Sequence, residues 1–378
     1  MMVLKKAVLP KGFRANGIAC GLKKSGKLDL ALFYSEHPAK ASCKFTTNRI
    51  QAAPLKVSKK NLAKAGFFQA IIANSGNANC FTGKAGLKDA DDTVKSLGMA
   101  LKLKKEKILI NSTGVIAKRL EVSKIKKAIP LLVAGLSKDG IARAKRAIMT
   151  TDLFAKEITV KFNIGSKTVT LCGIAKGAGM ITPNMATMFA FIFTDANITQ
   201  GALNKALKSC VDNSFNCITV DGCMSTNDSV MALANSAAGN KLIAKGANLA
   251  VFTKALNSVC LELAKMIIRD GEGASKFIEI KVSGAKTFQE ARLAALSIAN
   301  SNLFKTAMYG ENPNFGRIAA AVGGSAVTMK EELFRTRVSP LKKKDIKVEV
   351  FLNIGKASAT VYTSDLTPEY IKINAEYN

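Results

Sequence analysis

The chain has 378 residues, 48% hydrophobic and 22% charged, which suits two or three domains, or one large domain with an appendage, with a large core, and argues against disorder. Its formal net charge is +29, with 34 basic and 10 acidic residues in Met1–Ala186 against 22 and 17 in the remainder. A single histidine, His37, excludes a His-rich zinc site and any dyad of two imidazoles.

Gln69–Ala73 reads as a short apolar strand, stopped by the polar run Asn74-Ser75-Gly76-Asn77-Ala78-Asn79. Asp89 is placed to cap a helix carrying Val94, Leu97 and Leu101 on one face. Ile108–Ile110 reads as a buried strand ending at Asn111-Ser112-Thr113-Gly114, and a helix over Val122–Leu136 follows, with Pro130 expected to kink it. Val160–Leu171 reads as a hairpin turning at Asn163-Ile164-Gly165-Ser166. Lys176–Ala186 is a loop with glycines and a proline, and Met188–Phe193 has the bulk and length of a buried strand. Leu203, Ala206, Leu207 and Cys210 mark a helix, and Phe252, Leu256, Val259, Leu263 and Ile267 a longer one stopped by Asp270-Gly271. Ile278, Ile280 and Val282 alternate as a strand, as do Ile346, Val348, Val350 and Leu352, which are expected to turn back at Asn353–Lys356 as a second hairpin. The fold class expected is α+β, with mixed sheets sandwiched between helices.

The positive field attracts anions. The excess is mostly lysine at helical or alternating spacing, such as Lys102, Lys104, Lys105 and Lys107, without the aromatics a base-stacking surface needs. Small anionic substrates are therefore expected as partners, and nucleic acid is not. The eight cysteines form no CxxC pair, so zinc ribbons and thioredoxin-like motifs are excluded. His37 precedes Pro38 in a polar stretch and reads as a surface loop residue, with no neighbour that would make it a base. The N-terminus is too short in apolar residues for a signal peptide, and no run approaches the ~20 residues that span a bilayer. A soluble, reduced, cytoplasmic protein with no membrane contact and no metal is expected.

The most unusual segment is Lys176-Gly177-Ala178-Gly179-Met180-Ile181-Thr182-Pro183-Asn184-Met185-Ala186-Thr187. On pattern alone it is a glycine loop feeding a core strand, with Thr187 an ordinary β-former. The missing histidine gives it a second reading. A hydroxyl nucleophile needs a base. A chain that cuts itself before the nucleophile makes one, because the freed α-amine has an ordinary pKa of about 7.7–8.0. One residue, Thr187, then serves as both. Thr113 and Gly114 sit in a turn directly after a strand, where a hydroxyl and a backbone N–H can meet an oxyanion; an ordinary strand-to-helix turn is the alternative. Glu272, between Gly271 and Gly273, can hold an ammonium group or simply sit in a capped loop.

Together these pieces resemble the ornithine acetyltransferase family (glutamate N-acetyltransferase, of arginine biosynthesis). The resemblance runs almost end to end: Lys11-Gly12-Phe13, Thr46-Thr47-Asn48, Ala73–Asn79, Asn111–Ile116, Ala147–Asp152, Lys176–Thr187, Ser225–Asp228, Asp270–Gly273, Pro313–Arg317 and Ile373–Tyr377. It implies a self-processing, N-terminal-nucleophile-like architecture related to aminopeptidases. The cut would fall between Ala186 and Thr187, leaving an α chain of residues 1–186 and a β chain of residues 187–378, assembled as two of each. Thr187 would accept the acetyl group, with Thr113 and Gly114 as the oxyanion pair. Lys176, Thr187, Glu272, Asn374 and one of Thr150 or Thr151, with a leaning to Thr150, would bind substrate. Acetyl would pass from N-acetylornithine to glutamate with no bound cofactor, and acetyl-CoA is a second donor in some members.

The sequence departs from the family's pattern in three places. Only Asn378 follows Tyr377, where the family usually has a further residue or two, often Ser or Thr, so the last substrate contact is expected to be absent or replaced by Asn378 and its carboxylate. Glu311 and Phe315 stand where Asp and Trp are common. The runner-up is an amidase or aminopeptidase with the same Thr187 chemistry and water as acceptor.

Overall fold

The computed structural model describes residues 1–182 and 188–376. These divide into two compact units. The first comprises the described residues of 1–177, 187–213 and 225–263, and the second those of 178–186, 214–224 and 264–378.

In chain order the first unit contains β1 (Met2–Leu4), β2 (Phe13–Ile18), β3 (Leu30–Phe45), α1 (Ala53–Lys64), β4 (Phe68–Asn74), α2 (Gly83–Leu101), β5 (Ile108–Ser112), α3 (Val122–Ala134) and α4 (Ile141–Ala147). It continues with the hairpin β6 (Lys156–Ile164) and β7 (Lys167–Lys176), then β8 (Phe189–Thr194), α5 (Gln200–Asp212), β9 (Ser229–Ala234) and most of α6 (Gly246–Arg269). The strands run in the order β1-β6-β7-β8-β9-β3-β4-β5, with β2 also on β3. The long strand β3 belongs to both halves. Residues 30–35 pair with β2 and β4, the register slips between Tyr34 and Ala39, and Lys40–Phe45 pair with β9.

Side-chain alternation along β3 shows why two layers form. Ala31 and Phe33 face inward onto Phe189, Phe191 and Phe193 of β8 and Ile174 of β7. Phe33 lies 5.1 Å from both Phe191 and Phe193, and Phe13 lies 5.3 Å from Phe193, ring centre to ring centre. Leu30 and Leu32 face outward with Ile72 and Ile110, against Val57 of α1, Val94 and Leu97 of α2, and Ile125 of α3. On the opposite side Phe162 packs edge-on to Phe252 of α6, and Gly173 leaves room for Val259 and Leu263. Two sheets thus meet on phenylalanines and are covered outside by helices, as expected.

The second unit contains β10 (Phe277–Ala285), α7 (Phe288–Ala299), α8 (Asn302–Tyr309), α9 (Gly316–Gly323), β11 (Arg335–Val338), β12 (Asp345–Phe351), β13 (Ala357–Ser364) and α10 (Pro368–Glu376). Its sheet has the order β11-β12-β10-β13. Alternate residues Ile278, Ile280 and Val282 of β10 and Ile346, Val348 and Val350 of β12 face Ala291, Ala294, Ala295 and Ile298 of α7.

Three expectations change. The strands before and after Asn353–Lys356 are not a hairpin, because β10 lies between them, parallel to β12 and antiparallel to β13. The turn instead wraps the end of β10: the N–H groups of Ile354 and Gly355 each donate to the Gly284 carbonyl at 2.8 Å. Asp89 does not cap α2 but sits buried inside it, where its carboxylate takes two hydrogen bonds from Arg119, at 2.5 and 3.0 Å. His37 is exposed as expected, but within the span of β3 where the register slips. Pro130 lies inside α3.

Truncating the ring at the centre of the aromatic core removes contacts that no neighbour can replace. Phe33→Ala should cost about 3–5 kcal/mol in a urea titration. A loss under about 1 kcal/mol would show that the two layers are not held there.

Candidate active site

The polar motifs collect at one end of the first unit. β4 and β5 are parallel, with Asn74 opposite Ser112, so the segments after both strands leave from the same end. Thr113 and Gly114 follow β5. The Thr113 N–H donates to the Asn74 carbonyl at 2.9 Å, and Gly114 has φ +130°, which a side chain rarely adopts. A Cβ on Gly114 would strike the backbone of Gly76 and Asn77. That is why this turn needs glycine and why the Ser75–Asn79 run is small and polar.

Lys176, the last residue of β7, is almost fully buried, and its Nζ lies 3.4 Å from Thr113 Oγ1. Asp152 follows Thr150 and Thr151. Its side chain is inaccessible to solvent, as is that of Lys156, whose ammonium it pairs with at 2.5 Å. Asp152 also accepts the Gly177 N–H at 2.7 Å and the Thr150 N–H at 2.9 Å. Burial pushes its pKa up, but the Lys176 and Lys156 charges and these hydrogen bonds more than offset that and bring it down to about 2. The turn bearing both threonines is thus tied to the start of the glycine loop. Thr150 lines an adjoining cavity of about 720 Å³.

Sequence reasoning gave no role to the asparagines and the second aspartate. Asn227 donates to the carbonyls of Ala78 and Ser112 at 2.7 and 2.6 Å, joining the approach to β9 to the ends of β4 and β5. Ser112 Oγ donates to Asn74 Oδ1 at 2.6 Å, and Asn111 donates to Ser229 Oγ. Asp228 is fully buried. Its Oδ1 accepts the Met188 N–H at 2.9 Å, and its Oδ2 has no hydrogen-bond partner among the described residues. Burial pushes its pKa well up, against that N–H bond and the Lys176 charge. The only sequence signal for these residues was their place in dense polar motifs.

Ala186, Thr187 and Asn378 lie outside the described residues.

In the second unit Glu272 is half-buried and Asn374 exposed. Asn374 Nδ2 donates to Glu272 Oε2 at 2.9 Å and to the Tyr370 carbonyl at 3.0 Å. The Glu272 N–H donates to the Ala178 carbonyl at 2.9 Å, and a Cβ on Gly179 would collide with the Glu272 carboxylate. Close approach explains that glycine. Asp221 fixes the next turn by accepting the N–H groups of Met180 and Ile181 at 2.6 and 2.9 Å, and it also takes the Tyr370 hydroxyl at 3.2 Å.

The ArgJ family model matches residues 14–340 and 335–378. The chain belongs to the ArgJ family. It is 45% identical to the "Arginine biosynthesis bifunctional protein ArgJ" of Caldanaerobacter subterraneus subsp. tengcongensis, covering 98% of both chains. It is 43% identical to the protein of that name from Geobacter sulfurreducens, over 97% of this chain and 99% of that one. The Dehalococcoides mccartyi protein of the same name is 45% identical over 97% of this chain and 96% of its own.

A carboxyl group whose pKa rises on folding gives stability that is fully present below its unfolded value, near 4, and lost as pH rises through the folded value. Asp228→Asn keeps the acceptor for the Met188 N–H and removes the charge. The variant should melt like wild type near pH 4 and above it at pH 8, by calorimetry. A melting difference that does not grow with pH would show that Asp228 is not held neutral by burial.

Proposed function

We propose that the chain cuts itself between Ala186 and Thr187 and then carries acetyl from N-acetylornithine to glutamate on Thr187, giving ornithine and N-acetylglutamate in arginine biosynthesis. The observation that carries this reading is the Thr113 hydroxyl beside the buried ammonium of Lys176, with the Gly114 N–H next in the same turn. Membership of the ArgJ family supports the same chemistry.

The free α-amine of Thr187 takes the proton from its own Oγ as that oxygen attacks the acetyl carbonyl. The Thr113 hydroxyl and the Gly114 N–H meet the oxyanion, and the charge of Lys176 strengthens the pair in a low dielectric. Collapse breaks the C–N bond, and the α-amine of ornithine leaves with the proton. Glutamate then enters, its α-amine attacks acetyl-Thr187, and the steps reverse. Donor product and acceptor are both α-amino acids, so one set of contacts serves each. Thr150 or Thr151, Lys176, Glu272 braced by Asn374, and Asn378 are assigned to substrate. The enzyme holds no bound cofactor, acetyl-CoA serves as a second donor, and two α and two β chains assemble in the cytoplasm.

Thr187→Ala should stay a single chain on denaturing gels, where the parent gives two bands of similar size; a cut that persists would assign it to a contaminating protease. Incubation with N-acetylornithine alone should add one acetyl mass to the chain that begins at Thr187, and rates against both substrates should give parallel double-reciprocal lines. Intersecting lines with no added mass would mean direct transfer in a ternary complex. Release of acetate as fast as ornithine would favour the amidase.

Losing an oxyanion donor costs about 10²–10³ in rate. Thr113→Ala should show that loss in transfer with unchanged melting, and full activity would remove Thr113 from the mechanism.

A further inference from the structure

Two buried carboxyls stand at the polar end of the first unit, and their surroundings set them in opposite states. Asp152 lies among Lys156, Lys176 and two backbone N–H groups, so it is ionised and fully engaged. Asp228 has no solvent access, and its Oδ2 has no hydrogen-bond partner among the described residues. The charged group that faces it is Lys176, and the Ser225 hydroxyl is a polar neighbour. Burial outweighs both, so Asp228 keeps its proton to higher pH than an ordinary carboxyl. Neighbouring carboxyls driven apart in this way mark which group can act as an acid.

The strand register sets what Asp228 lies against. Phe189 of β8 is paired with Lys176 of β7 on one side and Ser229 of β9 on the other. Met188 and Asp228 each stand one residue before that row. The Ser229 N–H donates to the Met188 carbonyl at 3.1 Å, and the Met188 N–H donates to Asp228 Oδ1 at 2.9 Å. The Asp228 carbonyl in turn accepts the Thr46 N–H at 3.0 Å. Met188 is therefore gripped at both backbone polar groups by consecutive residues, and the carboxyl cannot turn away without losing its bond. One residue of chain spans at most about 3.6 Å, so the nitrogen of residue 187 is within that distance of the Met188 nitrogen.

We propose that Asp228 is the acid of the self-cleavage, giving its Oδ2 proton to the nitrogen of Thr187 as the Ala186–Thr187 bond opens. This rests on the self-cutting reading of Thr187 and supplies a group that the cut itself needs. Before the cut that nitrogen is an amide, so the α-amine that serves transfer cannot serve the step that creates it. Thr187 Oγ attacks the Ala186 carbonyl carbon, a C–O bond forms and the C–N bond breaks. Asp228 protonates the departing nitrogen and recovers a proton from Oγ, so the carboxyl ends as it began. Water then opens the ester, leaving the Ala186 carboxyl and the free Thr187 hydroxyl.

The test follows wild type, Thr187→Ala and Asp228→Asn made by cell-free translation, with loss of the full-length chain read on denaturing gels across a pH series. Asparagine keeps the acceptor for the Met188 N–H but has no proton to transfer. Acid–base catalysis contributes about 10²–10⁴-fold, so Asp228→Asn should be cut at least about a hundred-fold more slowly than wild type. The wild-type rate should fall as pH rises through the folded pKa of Asp228, where the acid form is lost, and the residual rate of Asp228→Asn should show no such fall. Cutting of Asp228→Asn within about ten-fold of wild type would overturn the proposal. So would a wild-type rate that does not fall with pH, or slow cutting in a variant that also melts earlier than wild type, which is a merely structural effect. A wild-type chain that stays whole, or a Thr187→Ala chain that is cut, shows separately that the self-cutting reading has failed.

Discussion

The carboxylate of Asp152 is the constraint on which the first unit's polar end depends. A charge with no solvent access is costly unless cations and hydrogen bonds surround it. Asp152 has Lys156 in direct contact, Lys176 close by, and two backbone N–H groups. Each partner comes from a different feature: Lys156 from the start of β6, Lys176 and Gly177 from the end of β7 and the loop beyond, Thr150 from the preceding turn. The carboxylate therefore fixes where β7 ends and where the glycine loop begins. It also supplies the negative charge that lets Lys176 stay buried as an ammonium beside Thr113.

The strand ends nearby meet a similar difficulty in neutral form. Where β4 and β5 stop, their last carbonyls and the following turns lose ladder partners while still buried. Amide side chains take up that role. Asn227 reaches the carbonyls of Ala78 and Ser112, and Asn74 receives Ser112 Oγ while its own Nδ2 donates to the Asn77 carbonyl. Asparagine offers donors and an acceptor on a short side chain, so a few copies can satisfy a crowded turn. The result is a rigid floor under Thr113 and Gly114, and an oxyanion donor is effective only if it does not have to move.

Below this polar end, the phenylalanines of β2, β3 and β8 hold the two layers at fixed spacing. Aromatic rings at tilted contact distances fill the space between sheets with few rotamers each. A shift of β8 would move Met188 away from Asp228 Oδ1, so the hydrophobic core and the polar end share one register.

The sequence by itself determined most elements and the identity of the chemistry-bearing motifs. Short continuous apolar runs marked β4, β5 and β8, period-2 alternation marked β10 and β12, and helical spacing marked α5 and α6, because local burial patterns follow directly from side-chain order. The glycines at 114 and 179 were also legible, though their causes were not: one packs on the Gly76–Asn77 backbone, the other under Glu272. Tertiary structure alone decided what depends on residues far apart in the chain. It put β10 between β12 and β13, where local turn chemistry suggested a hairpin, because parallel pairing with β12 is a long-range choice. It turned Asp89 from a helix cap into a buried partner of Arg119. It also brought Asp152, Lys176 and Thr113 into one corner. No spacing rule reports such meetings, since charge pairing and burial act through space and not along the chain.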